Sequence, residues 1–275
     1  MEYLQEFGYE ISMEKGYYLM EREFEDSELR FLIDAVLFSK GISGAQAKDL
    51  IEKLKKQSSK YFEPKLTHIS YLPELHKVDN KQLMYVIGVI EDAIENEKKI
   101  SFIYNDYDTD FKLRPRREKR YIMNPYQLII NNGRYYLLGN YDNYDNVAHC
   151  RVDRITDIVI SDEARKPMKC VKGLQKGINL PKHMAEHMYL FGGEGSRILM
   201  KAKKSIFNDL VDWFGTDFSV LSEEKDWYTV SLCCSEDAMF LWAMQYNTNV
   251  EILEPINLRE KIGERTREMA EKYGK

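Results

Sequence analysis

Between residues 26 and 96 apolar residues fall at helical spacing, and from Lys99 the period changes to two. Within residues 26–40 (DSELRFLIDAVLFSK), Leu29, Leu32, Ile33, Val36 and Leu37 form one helical stripe. Gly41 follows as a stop. Ser43 and Gln46 then have the spacing of a capping box, which starts a second helix running to about Lys56. Residues 58–78 contain Pro64 and Pro73 and read as a linker. Asp79 and Gln82 repeat the capping pattern ahead of a third helix, LMYVIGVIEDAIEN. From Lys99 the period becomes two, and KISFIYND, PYQLII, RYYLLGNY, VAHCRVD and ITDIVIS read as five antiparallel strands. Asn132-Gly133 separates the second from the third, as a two-residue hairpin turn requires. Five short strands so close together predict a small closed barrel, which leaves no edge exposed.

Two further regions complete the pattern. At the start, MEYLQEFG reads as the last turns of a helix. EISMEKGYYLM reads as a hairpin around Glu14-Lys15-Gly16, where glycine accepts positive φ. A helix end followed by a hairpin is how a winged helix-turn-helix finishes, and we expect the chain to begin inside such a module. At the other end, RILMKA, SIFNDLVDWFG, FSVLSE, WYTVSLCC, EDAMFLWAMQYN and VEILEP follow the order βαββαβ, which is ferredoxin-like. Ser235 is placed to cap the second of these helices. Asn257 with Glu260 is placed to cap a last helix, LREKIGERTREMAEKY. The expected class is therefore α+β. Its parts are a winged-helix remnant (residues 1–25), a helical linker or dimerisation region (26–97), a β-barrel (98–162), a connection (163–195) and a C-terminal α+β module (196–275).

Composition narrows the class. The 275 residues, 44% of them hydrophobic, suffice for about two domains. No apolar run reaches the ~18 residues of a membrane span, and the N-terminus lacks a secretory pattern, so the expectation is a cytoplasmic protein with no membrane partner. Cys150, Cys170, Cys233 and Cys234 form no C-x-x-C pair and are read as reduced, packed thiols. The net charge is −5, yet residues 112–120 read KLRPRREKR. Salt screens charge beyond about 8–10 Å, so this local stripe counts on its own. Two readings of Arg114, Arg116, Arg117, Lys119 and Arg120 stand: a solvated loop, or a guide for phosphates.

The strand region also gathers Tyr104, Tyr126, Tyr135, Tyr136, His149, Arg151 and Arg154. Alternation places Tyr135 with Leu137 on one face and Tyr136 on the other, and places His149 with Arg151. Rings beside guanidinium groups suit a ligand with bases and phosphates, through stacking and bidentate contacts. The competing reading is structural. Tyrosines fit strands anyway, and Arg151 has Asp153 and Asp157 nearby in sequence as surface partners.

PYQLIINNGRYYLLGNYDNYDNVAHCRVDRI resembles the central motif of the WYL-domain family. The name triplet is Tyr135-Tyr136-Leu137 here, with Tyr in place of Trp. Pro125-Tyr126, Gly133-Arg134 and Arg151-Val152-Asp153-Arg154-Ile155 fall in the family order. The resemblance covers roughly residues 80–160. Residues 1–25 resemble the tail of the winged helix that precedes such domains, and the βαββαβ region resembles their C-terminal extension. It implies an Sm-like, SH3-related barrel in a transcriptional regulator, with a nucleotide or oligonucleotide effector, DNA as partner and a homodimeric state. It carries the effector-binding role to Tyr104, Tyr126, Tyr135, Tyr136, His149, Arg151 and Arg154. Arg134 stands either as a further effector contact or as a solvated turn residue.

An alternative is an accessory protein that binds nucleic acid or a partner without controlling a promoter. A remote alternative is a zinc hydrolase through His183, Glu186 and His187, whose H-x-x-E-H order has no downstream third ligand. G-x-S-x-G, P-loop, H-E-x-x-H and G-x-G-x-x-G motifs are absent, and Gly192-Gly193-Glu194-Gly195 precedes a strand instead of opening a helix. The expectation is a non-enzyme without cofactor or metal. Trp213, Trp227 and Trp242 are read as core or interface anchors.

Overall fold

The computed structural model describes residues 11–12, 18–19, 23–58, 82–178 and 195–274. The expected helix end at 1–8, the linker, Asp79 and the His183–His187 motif lie outside the described residues. The chain divides into two compact units. One comprises residues 1–88 with Ile130–Tyr135 and Val152–Arg154; the other holds the remainder.

In the first unit, β1 (Ile11–Ser12) pairs antiparallel with β2 (Tyr18–Leu19), in register with the expected hairpin. Helix α1 (Asp26–Phe38) and helix α2 (Gly44–Lys55) pack through buried Leu29 and Ile33 against Leu37, Ile51 and Leu54. Ser43 and Gln46 do form the capping box of α2. Glu25 and Glu28 form another at α1, which the sequence reading missed. The end of α1 meets the Asn132-Gly133 turn. The Lys40 amide donates to the Gly133 carbonyl (2.8 Å), and Lys40 Nζ donates to Asn132 Oδ1 (3.2 Å). Both turn residues have positive φ (49° and 71°), the twist a two-residue hairpin needs. A Cβ on Gly133 would lie 2.6 Å from the Phe38 carbonyl oxygen, so glycine also permits the close approach.

Helix α3 (Leu83–Glu95) carries the buried stripe Leu83, Val86, Ile90 and Ala93. After it the chain forms one curled sheet. Its strands are β3 (Lys98–Tyr107), β4 (Leu113–Pro115), β5 (Tyr121–Asn131), β6 (Arg134–Tyr141), β7 (Ala148–Arg151) and β8 (Ile155–Ala164). The order is β4-β3-β5-β6-β7, with β8 on the other side of β3. Two register shifts between β3 and β8 bend the long strand, so that it pairs with β5 near its start and with β4 near its end. The expected closed barrel is a half-barrel among the described residues. The 3₁₀ turn Val152–Arg154 ends four-residue β7 and redirects the chain before β8. Within the basic stretch Leu113–Pro115 is strand, and β5 starts at Tyr121, four residues before Pro125.

The C-terminal module contains β9 (Gly195–Lys203), α4 (Phe207–Phe214), β10 (Phe218–Glu223), β11 (Trp227–Ser235), α5 (Glu236–Tyr246), β12 (Val250–Glu254) and α6 (Ile256–Tyr273). Its sheet is antiparallel in the order β10-β11-β9-β12. Val230 faces Met200 and Leu232 faces Ile198 across β11 and β9, and Leu210, Phe214, Met239 and Trp242 cover that face. Trp242 is fully buried, as an anchor should be. Two capping expectations are corrected. Ser235 occupies the N-cap of α5, but its side chain makes no capping bond. Helix α6 starts behind Pro255, and Asn257 Nδ2 donates to Glu236 Oε2 instead of capping. The packed-thiol reading holds for Cys150 and Cys234; Cys170 and Cys233 are exposed, and none forms a disulfide.

Candidate functional site

Strands β6 and β7 set the site's geometry. Tyr136 lies opposite Arg151, Leu137 opposite Cys150 and Leu138 opposite His149. Directly opposed residues share a face, so Tyr136, Arg151 and His149 project from one side of the sheet while Leu137 and Cys150 turn to the other. The three are half-buried; Leu137 and Cys150 are fully buried. An aromatic ring, an imidazole and a guanidinium group thus come together on two adjacent strands, and the alternation read from the sequence is the one observed.

Tyr126 and Tyr104 stand differently. Tyr126 is buried among Ile129, Leu138, Val147, Val171 and Leu174, and its hydroxyl donates to the Lys166 carbonyl at 2.7 Å. Burial pushes this phenol up to about 12. Tyr104 is only 6% exposed, and its hydroxyl accepts from the Arg151 amide at 3.2 Å. The Arg116 guanidinium lies 5.0 Å from its ring centroid. Both tyrosines hold backbone in place beside the three projecting side chains.

Arg134, Tyr135 and Arg154 belong to the other compact unit, with the hairpin turn and the 3₁₀ turn. All three are half-buried. Arg134 Nη1 lies 3.3 Å from the carboxylate of Asp153, which is only 1% exposed. A carboxylate this buried needs a cationic partner to remain charged cheaply. Arg134 is therefore not a solvated turn residue. Asp153 is engaged by Arg134 and Asp157 by Arg120, while Arg151 and Asp153 each have further interactions of their own.

The basic stretch is not a free loop either. Arg114 pairs with Asp108 (2.8 Å) and Asp110 (3.1 Å). Arg116 makes two bonds to Asp106 (2.6 and 2.8 Å), which raise its already high pKa further. Arg120 ties Asp157 to Ser101. Arg117 instead lies 3.6 Å over the ring of Tyr121 and donates to the carbonyls of Lys119 (3.1 Å) and Arg120 (3.2 Å). Lys119 is exposed.

Two features escaped sequence reasoning. The buried amides of Asn124 and Asn140 bond to each other at 3.1 Å. Asn140 also donates to the carbonyls of Tyr144 (2.8 Å) and Asn146 (2.9 Å), which shapes the loop ahead of β7. Tyr121, Tyr141 and Tyr144 form the second feature, a row of rings continuous with Tyr104 and Phe102. Extending the period-two pattern of YIMNPYQLII back to Tyr121 would have found the first of them. Among the described residues no group of three or more His, Cys, Asp or Glu side chains is placed to hold a metal, and no helix is long and apolar enough to cross a membrane.

Residues 85–160 match the WYL domain family. Over 271 residues, covering 93% of this chain and 79% of the relative, the sequence is 23% identical to an uncharacterized HTH-type transcriptional regulator, YobV, of Bacillus subtilis (strain 168). Among solved structures, proteasome accessory factor B/C (PafBC) of Arthrobacter aurescens is similar at 14% identity and a TM-score of 0.34, with 90% of this chain covering 37% of that one. A CRISPR Cas-related protein is similar at 13% identity and a TM-score of 0.47, with 93% of this chain covering 75% of that one.

Proposed function

We propose that this chain, which carries a WYL domain over residues 85–160 and resembles a helix-turn-helix regulator, controls transcription in response to a nucleotide or oligonucleotide held on that domain. The observation that carries the reading is the β6–β7 register, which sets Tyr136, His149 and Arg151 side by side, half-buried, on one face. The ring stacks a base, the guanidinium group receives a phosphate through two parallel bonds, and the imidazole adds a donor. The curled sheet with its 3₁₀ turn supports an Sm-like domain. The β10-β11-β9-β12 order of a βαββαβ chain supports a ferredoxin-like C-terminal module. DNA is the proposed second partner. A homodimer is proposed through the exposed apolar residues Phe31, Phe38, Met84 and Tyr85. No enzymatic step is proposed.

A route for the response follows from the hairpin turn. Arg134 and Tyr135 open β6 and Tyr136 comes next, while Gly133 accepts from Lys40 at the end of α1. Arg134 Nη1 lies 3.3 Å from the buried Asp153 carboxylate within one unit, so an anion that binds Arg134 competes with that pair. A ligand shifts such an equilibrium only by its difference in affinity for the two states.

Isothermal calorimetry with short oligothymidylates tests the proposal. Losing one charge-assisted contact costs about 1.5–3 kcal/mol, so Arg151→Ala should weaken binding by roughly ten- to a hundredfold. Wild-type affinity in Arg151→Ala and Tyr136→Ala together would reject this site.

A further inference from the structure

The row of rings on the half-barrel meets the site proposed above through Tyr104, whose hydroxyl accepts from the Arg151 amide. Phe102 and Tyr121 stack (5.8 Å, 13° between planes), and Tyr104 meets both edge-on. Tyr141 follows at 5.6 Å from Tyr121, and Tyr144 at 6.4 Å from Tyr141. Exposure rises along the row. Phe102 is fully buried, Tyr121 and Tyr141 are half-buried, and Tyr144 is 63% exposed. The inner rings are core. Tyr121 lies between Phe102 and Arg117, Tyr141 reaches Cys150 with its hydroxyl, and Tyr144 emerges at the surface.

The charges beside this row are unevenly satisfied. Arg114, Arg116 and Arg120 each have a carboxylate partner. Arg117 and Lys119 have none among the described residues, and the bonds of Arg117 go to backbone carbonyls. Of the nearby acids, Glu118 lies exposed between the two cations, and two others have a lysine beside them. Asp142 is held by Lys99 at 3.0 Å, which lowers its pKa, and Asp145 lies 3.8 Å from Lys166. The guanidinium of Arg117 is stacked on Tyr121, one end of the row whose other end is the exposed Tyr144. An exposed ring followed by a cation is how a protein surface receives a nucleobase and its phosphate without reading sequence.

We propose that Tyr144, Tyr141 and Tyr121, bordered by Arg117 and Lys119, form a second contact surface for single-stranded nucleic acid, separate from the face of Tyr136, His149 and Arg151. A base stacks on Tyr144, and the adjoining phosphate meets Arg117. The ligand class rests on the reading given under Proposed function; the surface itself rests on the ring row and the two cations. Short strands fill the first face alone, and longer strands reach both.

Fluorescence anisotropy with labelled oligothymidylates of about four and about twelve nucleotides tests this. Stacking is worth ~1–3 kcal/mol per base, and ~1.4 kcal/mol is tenfold. Tyr144→Ala and Arg117→Gln should each weaken the longer strand about tenfold and leave the shorter one unchanged. Tyr144→Phe should keep the wild-type affinity, since the ring remains. Arg151→Ala should weaken both lengths. Unchanged binding of the longer strand in Tyr144→Ala and Arg117→Gln, with Arg151→Ala still impaired, overturns the second surface and leaves the first reading intact. If wild type binds neither length, both readings fall. Tyr144 lies exposed in a loop whose backbone is held by Asn140, so its replacement leaves the fold in place.

Discussion

Asn124 and Asn140 sit fully buried; Asn124 Nδ2 donates to Asn140 Oδ1, and Asn124 Oδ1 accepts from the Lys166 amide. Replacing one leaves its partners' donors and acceptors without water, at about 1–3 kcal/mol for each unsatisfied group. Asn140→Ala should therefore lower unfolding free energy in urea by about that amount, because the buried Asn124 amide loses its side-chain acceptor. Titratable groups in the same region give a pH signature. Burial pushes the Cys150 thiol from 9.0 up to about 11 and the Tyr126 phenol from 10.0 up to about 12. The unfolded chain releases these protons first. Stability is thus fully present below about pH 9 and falls as pH rises from about 9 to 12. Urea midpoints measured across that range should decline, and Tyr126→Phe should flatten the upper part of the decline.

At the scale of elements, the contact that matters most is between the end of α1 and the hairpin turn. It consists of a backbone hydrogen bond from Lys40 to Gly133, one side-chain bond, and a close approach that only glycine allows. Gly133→Ala places a methyl group 2.6 Å from the Phe38 carbonyl oxygen, at a φ that L residues resist. The helix end must move away from the turn. Hydrogen exchange at the Lys40 amide should accelerate at least tenfold, while amides inside α2, which has its own capping box, keep their protection. Unaltered Lys40 exchange would argue against the close approach at the turn.

At the scale of the whole molecule, the half-barrel and the C-terminal module have separate hydrophobic cores. Trp213, Trp227 and Trp242, all the tryptophans in the chain, lie in the C-terminal module. Their emission therefore reports that module, whereas far-UV ellipticity reports every element. Gly139 lies where a Cβ would meet the Asn124 carbonyl oxygen at 2.7 Å and the Met123 side chain at 2.8 Å. Gly139→Ala should shift the ellipticity transition to lower temperature and leave the tryptophan transition in place. Overpacking of this kind costs about 1–3 kcal/mol. Coincident shifts in both signals would mean that the two cores unfold as one.

The elements and their order were legible in the sequence because each rests on local chemistry. Helical and alternating periods, a Ser43–Gln46 capping box and an Asn132-Gly133 turn are written in neighbouring residues. That His149 shares a face with Arg151, and that Tyr136 turns away from Leu137, was also legible, since alternation fixes faces along a strand; the register that sets Tyr136 opposite Arg151 was not. Other features were settled only by residues far apart in the chain coming together. Asp153 took Arg134 as partner, Asp157 took Arg120, and the basic stretch became a set of clips with two cations spared. Tyr126, read as a ligand residue, went into the core, and the strand path stopped at a half-barrel. Local sequence states which groups a strand or helix carries. Burial and charge pairing depend on what the fold sets opposite them, and no pattern along the chain encodes that distance.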